Sequence, residues 1–163
     1  MTGAVDGRSS DTIARAVHAL IYRGCLRLDQ NDFKGWLDLC SQDFHYTVST
    51  YSPEIRREQI WLDHDYEGMS NLIRMLPKHN SDQTPLTRHA TVYTVDHDAG
   101  SHEARAVTSV AIFATELDGG ETTLFALARY HDVVDVGGTE PRLKHRTVRL
   151  ETRSLGIGKH WPL

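Results

Sequence analysis

The chain has 163 residues, enough for one domain that buries roughly 70% of its unfolded surface. Hydrophobic residues make up 39% and charged residues 25%, an ordinary globular balance, and the formal charge is −4. That sign argues against a general nucleic-acid binder, which needs a basic face to displace counterions from phosphates. Arg142, Lys144, Arg146, Arg149 and Arg153 do gather late in the chain, but their mixed spacing reads as a solvated or subunit-facing strand. Residues 1–10 are small and polar and lack the basic-then-apolar order of an export signal. No run approaches the ~18 apolar residues that a membrane span requires. The expectation is a cytoplasmic protein with no nucleic-acid or membrane partner, a flexible tail over 1–10 and a single domain over 11–163.

The first periodic signal runs from Asp11 to Asp29. Ile13, Ala16, Val17, Leu20, Ile21, Gly24 and Leu28 recur at helical steps, and Ser9 or Ser10 is placed to cap the helix. A shorter helix follows from Asn31 or Asp32, carrying Phe33, Trp36, Leu37 and Cys40. Cys25 and Cys40 therefore both read as helical, buried thiols. Asp43 to Tyr51 is aromatic and β-branched, which predicts a strand ended or interrupted by Ser52-Pro53. Helical spacing returns from Asp65 to Leu76, with Pro77 expected to stop it and a loop over Lys78 to Pro85, including Asn80, Ser81 and Asp82.

Four β-rich runs complete the chain, near Leu86–Asp96, His102–Glu116, Thr122–Val136 and Arg142–Thr152. The breaks between them carry Gly or Asp-Gly turn chemistry. Ala106, Thr108, Val110 and Ile112 alternate onto one face, as do Leu124, Ala126, Ala128 and Tyr130. Strands this long must twist and bend. Helices followed by a meander predict an α+β fold, with about three helices in the N-terminal half covering the concave side of one curved, cone-like sheet.

Ten histidines raise the question of a metal. No His-x-x-x-His, His-x-His or Cys-x-x-Cys occurs, so a zinc site has no local support. Neither cysteine has a histidine at the spacing of a Rieske motif. A glycine-rich phosphate loop and a Gly-x-Ser-x-Gly elbow are also missing. Acid–base chemistry has a set of candidates. Asp43 and Tyr46 open the first strand, His89 and His131 lie on later ones, and a carboxylate beside a histidine in a dry pocket can be tuned to move protons near neutral pH. Taken singly, each residue is more readily a structural filler, cap or surface group than a catalytic one.

Short motifs follow one another in order: Tyr22…Leu28-Asp29, Trp36-Leu37-x-Leu39 and Asp43-x-x-Tyr46, then Leu72-Ile73-Arg74-Met75-Leu76 and Thr84-Pro85-Leu86-Thr87-Arg88-His89, and last Arg146-x-Val148-x-Leu150-Glu151. That ordered set resembles the small (beta) subunits of Rieske-type ring-hydroxylating oxygenases. There are departures: the stretch 77–83 lacks the Trp common in the family, and the proline after the Asp-x-x-Tyr strand comes only at Pro53. They suggest a divergent branch, such as an alkanesulfonate monooxygenase.

The resemblance implies a cystatin-like fold, shared with nuclear transport factor 2-like proteins. It implies trimerisation beneath three large (alpha) subunits in a hexamer of three large and three small chains. The Rieske iron-sulfur cluster and the mononuclear iron would belong to the large subunit, leaving this chain without a cofactor and without catalytic residues. Arg88, Arg146, Arg149 and Glu151 are the expected polar interface residues, because arginine suits bidentate pairing. Two other readings stand beside it. One is a stand-alone dehydratase, isomerase or cyclase using Asp43, Tyr46, His89 and His131; the other is a ligand-binding or dimerising module.

Overall fold

The computed structural model describes residues 8–79, 83–152 and 162–163. Most of the expected tail, the Asn80-Ser81-Asp82 part of the loop and Arg153 lie outside the described residues.

Helix α1 spans Ser10–Asp29, and its apolar stripe (Ile13, Val17, Leu20, Ile21, Leu28) is buried. Ser9 caps it by accepting from the Thr12 N–H. The chain turns at Asn31, whose φ of 57° lies in the left-handed region that asparagine tolerates. Helix α2, Phe33–Leu37, is a single turn capped by Asp32, which accepts from the Gly35 N–H. Strand β1 runs Cys40–Ser52 and β2 runs Arg57–Asp65. Helix α3, Tyr66–His79, follows, with the Asp65 carboxylate accepting from the Gly68 N–H at its start. The rest is β3 (Leu86–His97), β4 (Glu103–Thr115), β5 (Thr122–Asp135) and β6 (Arg142–Leu150).

One sheet takes all six strands in the order β2-β1-β6-β5-β4-β3. Every neighbouring pair is antiparallel except β1 and β6, which run parallel. Irregularities in register interrupt each pairing, at Val48/Ser49, Val92/Thr94, Ile112/Phe113 and Val133/Val134 among others. Bulges of this kind bend strands and add twist, which lets strands of up to 14 residues curl around the helices.

The inner face supplies the core. Phe44, Tyr46 and Val48 from β1, Ala106, Val110 and Ile112 from β4, Ala128 and Tyr130 from β5, and Val148 from β6 close on the buried stripe of α1. Trp36 is buried edge-on to both Phe44 and Tyr46, at 5.7 and 5.9 Å between ring centres. Such pairs add about 0.5–1.5 kcal/mol beyond area burial.

Three expectations need correction, and one strand was not anticipated. Cys40 is not helical; it opens β1, and the Leu143 N–H bonds to the Leu39 carbonyl beside it. The stretch after Pro53 is a strand, β2, exposed along nearly all its length. Pro77 lies inside the last turn of α3 rather than ending it. Leu124 does not share the inner face with Ala126, Ala128 and Tyr130. The register slips there, Phe113 pairing with Leu124 but Ile112 with Ala126, and Leu124 is left exposed.

Candidate subunit interface and the interior of the cone

Polar groups occupy both faces of the sheet, and they are of different kinds. Inside, Arg146 on β6 pairs with Asp132 on β5: Nε donates to Oδ1 and Nη2 to Oδ2, each at 2.8 Å. Both side chains are at most 1% exposed. The Arg146 guanidinium also lies over the Tyr130 ring, 3.9 Å from its centre. Burial alone would favour the neutral guanidine, but the Asp132 charge and its hydrogen bonds outweigh it and hold Arg146 firmly cationic.

Arg88 on β3 is the second interior arginine. Its Nη1 and its backbone N–H both donate to the Asp29 carboxylate at the end of α1, and Nη2 donates to the Pro162 carbonyl at 2.8 Å. Leu163 is buried beside it, its N–H donating to the Tyr46 hydroxyl at 2.9 Å. Burial pushes the Tyr46 phenol up to about 12, despite the Leu163 hydrogen bond. It pushes the Cys40 thiol to a similar value, while Cys25 and Tyr130 also move upward for the same first cause. Burial thus favours the neutral, protonated form of these two thiols and two phenols.

The outer face carries exposed charge. His45 on β1 hydrogen-bonds Asp63 on β2, and the His145 ring on β6 stands 5.4 Å from that of His45. Further along, Arg149 grips Glu58 with two bonds of 3.1 and 3.2 Å, and Ser49 donates to the same carboxylate. The Arg149 and Ser49 bonds hold the Glu58 carboxyl below its usual range. Arg129 pairs with Glu151 at 3.4 Å.

The Arg149–Glu58 and Arg129–Glu151 pairs line a surface groove of about 330 Å³ together with Tyr51 and His131. A second depression of about 260 Å³ adjoins it, sharing Thr50 and Tyr51 and bounded by Trp61. Tyr51, Ile55, Ile60 and Trp61 are each about half exposed or more. Aromatic and arginine side chains around shallow hollows are what protein interfaces are enriched in.

The expected interface residues divide between the two faces. Arg149 and Glu151 stand on the exterior, beside the groove. Arg88 and Arg146 do not: they are 7% and 1% exposed and point into the cone. Their partners Asp29 and Asp132 lie within the chain, so they brace the fold rather than present charge to a neighbour. The acid–base set is likewise not brought together. Tyr46 alone lies inside. Asp43 is exposed, accepting from Ser41 and facing Lys144; His89 is exposed with its ring edge-on to Phe113; His131 is half-buried on the outer face of β5.

The sequence model of the ring hydroxylating beta subunit family matches residues 23–156. The chain belongs to that family. Among curated relatives, this beta subunit is 36% identical over its whole length to the methanesulfonate monooxygenase hydroxylase subunit beta of Methylosulfonomonas methylovora, covering 94% of that protein. It is 35% identical over 94% of its length to the 2-aminobenzenesulfonate 2,3-dioxygenase subunit beta of Alcaligenes sp, covering 99% of it.

Solved structures agree on the fold. The beta subunit of benzoate 1,2-dioxygenase from Burkholderia mallei superposes with a TM-score of 0.62 at 16% identity, covering 88% of this chain and 91% of that one. A ketosteroid isomerase-like protein from Erwinia carotovora atroseptica gives 0.58 at 9% identity, covering 85% and 95%. The cone is therefore the nuclear transport factor 2-like fold that the resemblance implied.

Among the described residues of this beta subunit, no group of three or more His, Cys, Asp or Glu side chains is arranged to hold a metal ion. Cys25 and Cys40 are buried thiols of raised proton affinity, a poor match to the thiolate a cluster needs. The described residues do not fit a Rieske cluster. Asp132 is the buried partner of Arg146 that sequence reasoning passed over. It continues the buried alternation of Ala126, Ala128 and Tyr130, and a carboxylate in that parity was the available signal.

Proposed function

We propose that this chain is the non-catalytic small subunit of a Rieske-type hydroxylase that acts on a sulfonated substrate. The observation that carries the reading is similarity along the entire chain to a beta subunit whose enzyme, by name, oxidises methanesulfonate, reinforced by a second relative named for an aminobenzenesulfonate. The iron-sulfur cluster, the mononuclear iron and the pocket that selects the sulfonate are assigned to the large subunit.

The role of this chain is to hold large subunits in register within a hexamer of three large and three small chains, its own copies meeting as a trimer in the cytoplasm. A rigid wedge suits that role, with a packed interior braced by one buried and one partly buried arginine–carboxylate pair and a cratered exterior of Tyr51, Trp61, Arg129 and Arg149. The large subunit is expected to dock on that exterior. The stand-alone enzyme reading needs Asp43, His89 and His131 to meet in the cone, and the strand parities turn them elsewhere.

Purification of the native complex with intact mass measurement and iron and sulfide analysis tests the proposal. Co-purification with a larger iron- and sulfide-containing chain that oxidises a sulfonate supports it. Recovery of this chain alone, iron-free and active on a small substrate, would overturn it. An Asp43→Asn variant serves as a cross-check: it should assemble and turn over like the parent complex, whereas abolished chemistry in an intact assembly would favour the enzyme reading.

A further inference from the structure

Among the described residues, three side chains on adjacent strands keep polar atoms without a partner inside the cone: Thr108 Oγ1 on β4, Tyr130 Oη on β5 and Arg146 Nη1 on β6. All three residues are at most 1% exposed. They form one patch. Thr108 and Tyr130 are direct cross-strand partners, Arg146 is paired with Asp132 two residues further along β5, and its guanidinium lies over the Tyr130 ring. Buried polar groups in folded proteins are nearly always hydrogen-bonded, and three neighbours left short on one face call for a common partner.

The chemistry of the three atoms selects that partner. Arg146 Nη1 can only donate, whereas the two hydroxyls both donate and accept. An anion fits badly, because Asp132 already neutralises Arg146 and an added negative charge would be buried without a counter-charge. An apolar guest would leave every atom as it is. A neutral molecule that accepts from the guanidinium and exchanges hydrogen bonds with the hydroxyls meets all three demands. We propose that this patch is a built-in site for ordered water, which bridges Arg146 to Tyr130 and Thr108 and so ties β4, β5 and β6 together across the interior.

Near-isosteric removal of each hydroxyl tests the site through the sign of the effect. If water bridges the patch, Thr108→Val and Tyr130→Phe each strip the water of a partner, and the melting temperature falls by about 2–4 °C per variant. The double variant then falls by less than the sum, because both act on one bridge. If the hydroxyls are simply unpaired, Thr108→Val removes a buried penalty and the melting temperature rises, which overturns the proposal. A high-resolution crystal structure of the unmutated protein gives an independent check. Water density within hydrogen-bond distance of two or more of the three atoms supports the site; empty density there, or a ligand other than water, overturns it.

Discussion

Arg146 and Asp132 face each other across β5 and β6 as a two-bond pair withdrawn from solvent, and among the described residues each is the other's salt-bridge partner. Such a pair is costly to assemble and costlier to break. Its worth to the fold lies less in net stability than in fixing which residues of the two strands stand opposite each other.

Removing one partner should expose that asymmetry. Asp132→Ala leaves a guanidinium buried without its counter-charge, and the expected loss is about 3–5 kcal/mol. Replacing both by apolar residues of similar volume, Asp132→Leu with Arg146→Met, should recover most of it. Denaturant unfolding of the parent and both variants at one fixed protein concentration measures the difference. A single variant as stable as the parent would show that the pair is not what holds the strands.

Tyr46 offers a smaller and more local test. Its hydroxyl accepts from the Leu163 N–H in a buried setting, so Tyr46→Phe strands a backbone donor at an expected cost of about 1–3 kcal/mol. Hydrogen exchange should show the Leu163 amide losing protection more than the amides of α1. Equal loss everywhere would mean that the contact does not pin this segment.

Acidification should weaken the fold through two histidines of the outer face. Burial lowers the proton affinity of both His131 and His145, with the neighbouring Arg149 charge adding to it at the first and His45 at the second. Near the ordinary histidine value of about 6.5, the folded chain therefore binds fewer protons than the unfolded one. The contribution is complete above that value and is lost as pH falls toward the lowered folded values. His145→Gln should flatten the stability profile between about pH 5 and 7; an unchanged slope would remove His145 as a cause.

The exterior groove should matter to assembly and not to folding. Trp61 is half exposed on β2 and bounds the smaller depression. Trp61→Ala should leave the melting temperature of the isolated chain nearly unchanged yet weaken association with the large subunit tenfold or more, the ~1.4 kcal/mol or greater expected of an aromatic anchor. Analytical ultracentrifugation of the mixed subunits gives the readout. Unimpaired assembly would move the interface to another face.

Much of the fold could be read from the residues alone. The stripe of α1, its Ser9 cap and the hairpin turns between β3 and β6 follow from local periodicity and turn chemistry, and those rules operate within a few residues. Strand β2 escaped because it is an edge strand exposed on both faces, so Arg57 to Asp65 show no alternation; Ile60-Trp61-Leu62 was the only hint. Arg88 and Arg146 looked like interface residues because arginine is ordinarily a surface group. What turns them inward is partners that sequence distance conceals: Asp29 lies 59 residues from Arg88, and Asp132 lies 14 residues from Arg146.

The parallel pairing of β1 with β6 also bears on how the chain is made. Thr50 and Leu150 are neighbours in the sheet and 100 residues apart in sequence. During synthesis from the N-terminus, β1 has only β2 to pair with until the last strand emerges, so its other edge stays open to any passing strand. The final closure of the sheet is a long-range event with a large loop entropy. A ribosome-bound chain stalled before Arg142 should therefore hold its helices beside an unfinished sheet, and a newly made small subunit should rely on chaperone shelter until its very last strand is released.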